Sequence, residues 1–231
     1  MRAGLAAGAI LACLGCHGGA PAEPAARAPS RRGLTPISID SLKTTHGIID
    51  KGPGILMIRE PAIRAVAPRS ASGEGQMHFV YQGPSDHSTP LSSGQIRRQI
   101  GLKLRAQDGC NLVYVMWRIE PVSELVVSVK HNPGKSTHAQ CGAHGYRDMV
   151  PERGAAIPTL RIGEPHTLSA RLVQDELVVR ADGRIVWEGS LGKDVLRFDG
   201  PVGIRSDNGK FDVIFSAQET TGSLVSILED G

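Results

Sequence analysis

The sequence predicts an all-β protein, an antiparallel two-sheet jelly-roll β-sandwich, and three observations predict it. After residue 75 apolar and polar residues alternate with period two, the spacing that sends successive side chains to opposite faces of a strand. No window carries the apolar stripe of an amphipathic helix. Short runs rich in Val, Ile and Leu are separated by Asp-Gly, Asn-Gly and Pro at spacings suited to some ten to twelve strands.

The chain begins with MRAGLAAGAILACLGC: a positive start at Arg2, an apolar run from Ala3 to Leu14, and small residues before a cysteine. The run is shorter than the roughly 20 apolar residues needed to cross a bilayer, so residues 1–15 read as an export signal. The segments ending at Cys13 and at Cys16 both resemble the bacterial lipobox, and Cys16 leaves the longer apolar core. That resemblance implies a diacylglyceryl thioether on Cys16 and a membrane as partner through the lipid; an ordinary signal peptide cut nearby is the alternative. His17 stands where inner-membrane retention uses Asp, which points to the outer membrane of a bacterial cell envelope. Residues 16–34 are mostly Gly, Ala, Pro and Arg with little to bury, so they read as a flexible tether. Residues 35–231 are then one sandwich domain, long enough for a substantial core.

Within that domain, Gly54–Ile58 and Met77–Gln82 are the first strands predicted. From Ile96 to Ala106, Ile96, Ile100, Leu102 and Leu104 point one way, and Arg97, Gln99, Lys103 and Arg105 the other. Next, Val113, Val115, Trp117 and Ile119 alternate with Leu112, Tyr114, Met116 and Arg118; the β-branched set is the better core face. Leu125, Val127 and Val129 continue after a turn at Pro121 to Ser123. With that turn centred near Val122, Tyr114 lies opposite Lys130 and both leave on one face. Further on, His166–Val173 and Glu176–Arg180 form a hairpin around Gln174-Asp175. Asp182-Gly183 turns the chain into Arg184–Glu188, because a type I′ turn needs positive φ at both central residues. Val202–Ser206 and Phe211–Ala217 are joined across Asp207-Asn208-Gly209, and the tail with SLVSILED is a last strand or a short helix.

The stretch from Cys110 to Arg147 concentrates polar chemistry: His131, His138, His144, Tyr146 and Arg147 follow two strands and lie between or beside two cysteines. With Cys13 and Cys16 in the leader, Cys110 and Cys141 are the remaining pair of the four cysteines, and in an oxidising compartment such a pair joins; two buried free thiols are the alternative. A bridge would fold the loop back over the sheet edge. The net charge is +3 and there is no dense Lys/Arg run with interleaved aromatics, so nucleic acid is not an expected partner. Histidines spaced seven and six apart match no zinc arrangement, and no metal site is assigned.

HTLSARLVQDELVVRADGRIVWEGSL followed by PVGIRSDNGKFDVIFSA resembles the C-terminal strands of the concanavalin A-like jelly rolls, which include legume lectins, laminin G-like modules, and polysaccharide hydrolases and lyases. Gly200, Gly203, Gly209, Phe211 and Asp212 carry the resemblance, which covers about residues 75 to 220. Fold alone leaves the function open among these. The retaining glycosidases of the superfamily use two carboxylates about 5 to 5.5 Å apart, in one branch as E-x-D-x-x-E on a strand. This sequence has no such run, and its nearest approach, Glu120 and Glu124, is interrupted by Pro121. The resemblance to the lyases implies a cation that neutralises a uronate and a Tyr or His that moves the proton, although the signatures of alginate lyases are missing. The expectation is a lipid-tethered module that binds a polysaccharide, anionic for preference, through a sheet face and the pinned loop. Arg97, Lys103, Arg105, Arg118, Lys130, His131 and Arg147 are the ligand-binding candidates. The alternative is a lyase with Tyr114, Tyr146, His138 or His144 as catalytic groups; a structural envelope protein is the second alternative. No cofactor is expected. Laminin G-like modules make calcium possible at Asp207-Asn208-Gly209 or Asp182-Gly183, where turn chemistry also suffices.

Overall fold

The computed structural model describes residues 33–220. The expected export signal, the lipidation site, most of the tether and the SLVSILED tail lie outside the described residues. In chain order the strands are β1 (Thr35–Pro36), β2 (Lys43–His46), β3 (Ile49–Lys51), β4 (Leu56–Ile58), β5 (Ala62–Val66), β6 (Ser70–Pro84), β7 (Arg98–Leu104) and β8 (Leu112–Glu120). They continue as β9 (Glu124–Lys130), β10 (Tyr146–Asp148), β11 (Arg153–Gly154), β12 (Pro165–Val173), β13 (Glu176–Ala181), β14 (Arg184–Ser190), β15 (Gly203–Asp207) and β16 (Gly209–Glu219). One helical turn, α1 (His138–Cys141), interrupts them.

Two antiparallel sheets face each other. One has nine strands in the order β11-β14-β13-β12-β6-β16-β4-β3, with β1 added on β16; the other has seven, in the order β10-β9-β8-β7-β15-β5-β2. The alternation in the sequence becomes the core directly. Ile100, Leu102 and Leu104 of β7, Val113, Val115 and Trp117 of β8, and Val127 and Val129 of β9 turn inward. They meet Met77 and Phe79 of β6, Leu168 and Ala170 of β12, and Val213 and Phe215 of β16. Trp117 packs edge-to-face on Phe79 across the two layers, with centroids 5.7 Å apart. Trp187 is buried as well, so both tryptophans belong to the core and neither offers a sugar platform.

The all-β sandwich, the core face of β8 and the turns at Pro121 to Ser123, Gln174-Asp175 and Asp182-Gly183 are found where the sequence puts them; Gln174 and Asp182 take φ of 54° and 48°. Four expectations change. Ile96 is 59% exposed, because β7 begins only at Arg98. Tyr114 faces Ser128, and Lys130 faces Leu112, so the hairpin is shifted two residues from the expected register. An even shift preserves the face. The Asp207-Asn208-Gly209 turn is no hairpin: β15 belongs to the seven-stranded sheet and β16 to the nine-stranded one, so these residues carry the chain between layers. There are sixteen strands among the described residues, more than the ten to twelve expected, because short pieces such as β1, β10 and β11 have too few residues to show alternation.

Candidate functional site

The outer face of the seven-stranded sheet is charged yet largely buried. Cross-strand register arranges it in rows. One row runs Val66, Gly203, Lys103, Tyr114, Ser128 and Asp148 across β5, β15, β7, β8, β9 and β10. The next runs Arg64, Arg205, Gly101, Met116 and Val126. Below it lie Asp207, Gln99, Arg118 and Glu124, with Gln99 facing both Asp207 and Arg118. Glycine thus stands directly across from two of the long cations, Gly203 from Lys103 and Gly101 from Arg205. Neither position has space for a side chain: a Cβ on Gly101 would lie 2.1 Å from the Val115 carbonyl oxygen, and one on Gly203 2.1 Å from that of Ala65.

The cations then pack on aromatics. The Arg205 guanidinium lies 4.8 Å from the Tyr114 ring centroid, Tyr114 stacks on Tyr146 at 6.0 Å, and the Lys130 ammonium lies 5.0 Å from the Tyr146 ring. Asp207, fully buried, accepts from Arg64 at 2.6 Å, from Arg205 Nε at 2.9 Å and from Gln99 at 2.7 Å. Lys130 donates to the carbonyls of Gly109 at 3.0 Å and Gly142 at 2.9 Å, each next to a cysteine of the Cys110–Cys141 disulfide. Lys103 is 6% exposed as a residue; its ammonium has no hydrogen-bond or ion-pair partner among the described residues, and its nitrogen is not one of the fully buried unpartnered polar atoms.

Two loops border this face. Residues 131–145 are closed by the disulfide, whose Cα atoms are 5.9 Å apart, and by Asn132, which donates to the carbonyls of Cys110 and His144. Gly145 must lack a side chain, since its φ is 79° and a Cβ would fall 2.3 Å from the Asn132 amide. Residues 85–97 are held by Asn208, which accepts from the Thr89 N–H at 2.7 Å and donates to the carbonyls of Thr89 and Arg97. The loops meet where Ser92 Oγ and His138 Nε2 lie 2.9 Å apart.

Burial and crowding set the charges. Burial, with Arg64 and Arg205 adding, pushes the Lys103 ammonium down to about 8. Burial, then Arg205, brings Lys130 down to about 8 as well, although Asp108 opposes it. Burial and then Tyr114 push the Tyr146 phenol up to about 12. His138 is lowered by burial and then by Lys130, Arg64, Arg205 and His46. Burial works against the charge on Asp207, yet Arg205 and Arg64 hold its carboxyl below the usual range. For Arg205 too burial acts against the charge, and Asp207, Tyr114 and Tyr146 reverse it, so the guanidinium stays protonated.

Of the residues singled out from the sequence, Tyr114, Tyr146, Lys103 and Lys130 come together, with His138 at the rim and Arg118 two rows below Lys103 and Tyr114. Arg118 is paired with Glu124, while its Nε finds no partner among the described residues. The others lie elsewhere. Arg97 bonds Gln95 in the 85–97 loop. Arg105, at φ 47°, follows β7 and donates to the Val195 carbonyl. His131 packs on Phe198 near Asp194, and Arg147, opposite Val129, turns to the Leu191 carbonyl and Asp194. His144 is exposed and bonded through its backbone. Arg64, Arg205 and Gln99 join the cluster without having been chosen, though Arg205 sits charged within the alternating run GIRSD and Gln99 beside Lys103 in its own.

Glu120 and Glu124 are each engaged by an arginine, Arg98 and Arg118. The two calcium candidates are likewise committed: Asp207 to its three donors, and Asp182 to the Thr167 N–H and His166. Among the described residues no group of three or more His, Cys, Asp or Glu is placed to hold a metal ion. A groove of about 450 Å³ lined by Glu124, Met149, Ile157 and Trp187, and an apolar one of about 240 Å³ lined by Ile37, Ile55 and Phe215, lie away from the charged cluster.

No protein-family model and no curated protein matches the chain. Among solved structures it is similar to the carbohydrate-binding module CBM66 from Bacillus subtilis, at 13% identity and TM-score 0.48, covering 78% of this chain and 92% of that one. It is also similar to a putative glycosyl hydrolase from Parabacteroides distasonis, at 10% identity and TM-score 0.49, covering 79% and 90%. The exoplasmic/lumenal domain of VIP36 in its Ca2+/Man-bound form is similar at 12% identity and TM-score 0.46, covering 80% and 85%.

Proposed function

We propose that the outer face of the seven-stranded sheet binds a polysaccharide with acidic groups, in a module held on the bacterial cell envelope by a lipid on Cys16. One observation carries this reading: Lys103, whose side chain is mostly buried, ends in an ammonium with no acceptor among the described residues, beside two guanidiniums that already share one carboxylate. Three cations against one anion in a desolvated setting are poorly compensated. A carboxylate or sulfate from a glycan supplies the missing charge, while the partly exposed Tyr146 and the two loops offer contact to the sugar. Retention on immobilised polyuronate or sulfated glycan, with none on a neutral glucan, tests it. Lys103→Gln should abolish that retention, and equal retention on the neutral glucan would refute the anionic reading.

A lyase is the second reading, favoured by His138, an imidazole held neutral beside the cations and so able to accept a proton. Tyr146 suits a base poorly, because burial holds its phenol protonated. Ultraviolet absorbance of an unsaturated uronate, followed after mixing the protein with acidic glycans, decides between them. Retention without any such absorbance leaves binding alone.

A further inference from the structure

The local charge count at Lys103 points to a second occupant besides a glycan. Arg64, Arg205 and Lys103 are positive, and Asp207 is the one carboxylate bonded within the group. Converting Lys103 into an anion would bring the count to two and two. We propose that the Lys103 amine reversibly takes up carbon dioxide, forming a carbamate beside Arg64 and Arg205.

Geometry and acid–base chemistry agree on this. The amine donates to nothing among the described residues, so no bond has to be broken first, and its slight exposure suits a small uncharged reagent. Burial and the two arginines lower its proton affinity, which leaves a fraction with a free lone pair near neutral pH. That lone pair forms the N–C bond to the carbon of CO2, one C–O π pair becomes the negative charge on oxygen, and the nitrogen gives one proton to water. No electron is transferred and no other reagent is consumed. Arg205, one row along the face from Lys103, has its guanidinium carbon over Tyr114 and its Nε bonded to Asp207, and its charge is there to pair with the product anion. Acidification returns the ammonium and releases CO2.

The consequence for ligand binding rests on the glycan-binding reading: an ammonium that receives an acidic group becomes an anion that repels it, so dissolved CO2 would turn the site off. The test uses the full chain in 13C-bicarbonate at mildly alkaline pH. A carbamate carbon resonance is expected in the wild type and is lost in Lys103→Arg, which keeps a positive charge but has no amine. Trialkyloxonium trapping followed by peptide mass analysis places the added group on Lys103 in the wild type, whether or not the variant folds. Absence of the resonance, its persistence in Lys103→Arg, or trapping only at other amines would overturn the proposal. Replacing chloride by bicarbonate at equal ionic strength should then weaken retention on an acidic glycan more in the wild type than in Lys103→Arg. A carbamate without that difference refutes the switch but not the modification, whereas no retention in any salt refutes the glycan reading alone.

Discussion

Lys103 sets stability against binding within one side chain. A mostly buried lysine whose ammonium has no acceptor among the described residues is a stability defect, so replacing it with an apolar chain of similar length should help the fold: Lys103→Met is expected to raise the unfolding free energy by about 1 kcal/mol. The same change should reduce affinity for an acidic glycan at least about tenfold, since a charge-assisted hydrogen bond contributes about 1.5–3 kcal/mol. Urea unfolding and retention measured side by side check both signs, and a loss of stability would mean the amine has a partner after all. Asp207 is the opposite case. Its carboxylate holds Arg64, Arg205 and Gln99 together, and removing one partner of a buried charge group typically costs about 3–5 kcal/mol. Asp207→Ala should therefore lower the urea midpoint sharply, by an amount nothing on the solvated nine-stranded face would match. At this scale Lys103 and Tyr114 were legible, because each stands at a polar beat of an apolar alternation. Arg64 was not, since the short run AIRAV gave no strand to place it on.

The loop from His131 to Gly145 owes its position to two kinds of tie. The disulfide closes 31 residues, which in the chain-entropy model is worth about 3–4 kcal/mol. Lys130 adds bonds to carbonyls beside both cysteines. Cys141→Ser should lower the unfolding free energy by roughly that 3–4 kcal/mol and weaken glycan retention, because Tyr146 and His138 follow the loop. Retention unchanged beside the expected fall in stability would remove the loop from the site. The facing loop depends on Asn208, whose side chain bonds Thr89 and Arg97 from a backbone at φ 55°. Glycine there keeps the backbone at ease while deleting the tie, so Asn208→Gly should open residues 85–97 to limited proteolysis before any global unfolding. The pairing of the cysteines was readable from their isolation and the export signal. The hairpin register was not, since Pro121 to Ser123 permits a turn centred at either Val122 or Pro121, and only the partners, Arg118 opposite Glu124, decide between them.

Across the whole molecule the site is a product of sheet order, which sequence adjacency conceals. Arg64 and Asp207 are 143 residues apart, yet they meet because β15 inserts between β7 and β5. Alternation could assign each side chain a face, but it could not say which strands would be neighbours. Gathering these groups leaves a signature in the pH dependence of stability. Lys103 and Lys130 bind their protons less tightly when folded, at about 8 against the ordinary 10.5. The unfolded chain therefore holds more protons in that interval, and the unfolding free energy must rise with pH from about 8 toward about 10.5. Tyr146 acts the other way: its phenol keeps its proton up to about 12 in the fold against the ordinary 10.0, so stability falls through that interval. Stability should accordingly peak near pH 10, far above the pH 5 to 8 where most proteins are most stable. Urea midpoints taken from about pH 7 to about pH 11 measure the curve. Lys103→Met should flatten its rising limb and Tyr146→Phe its falling one; a wild-type maximum near neutrality would show that neither lysine is desolvated in the folded protein.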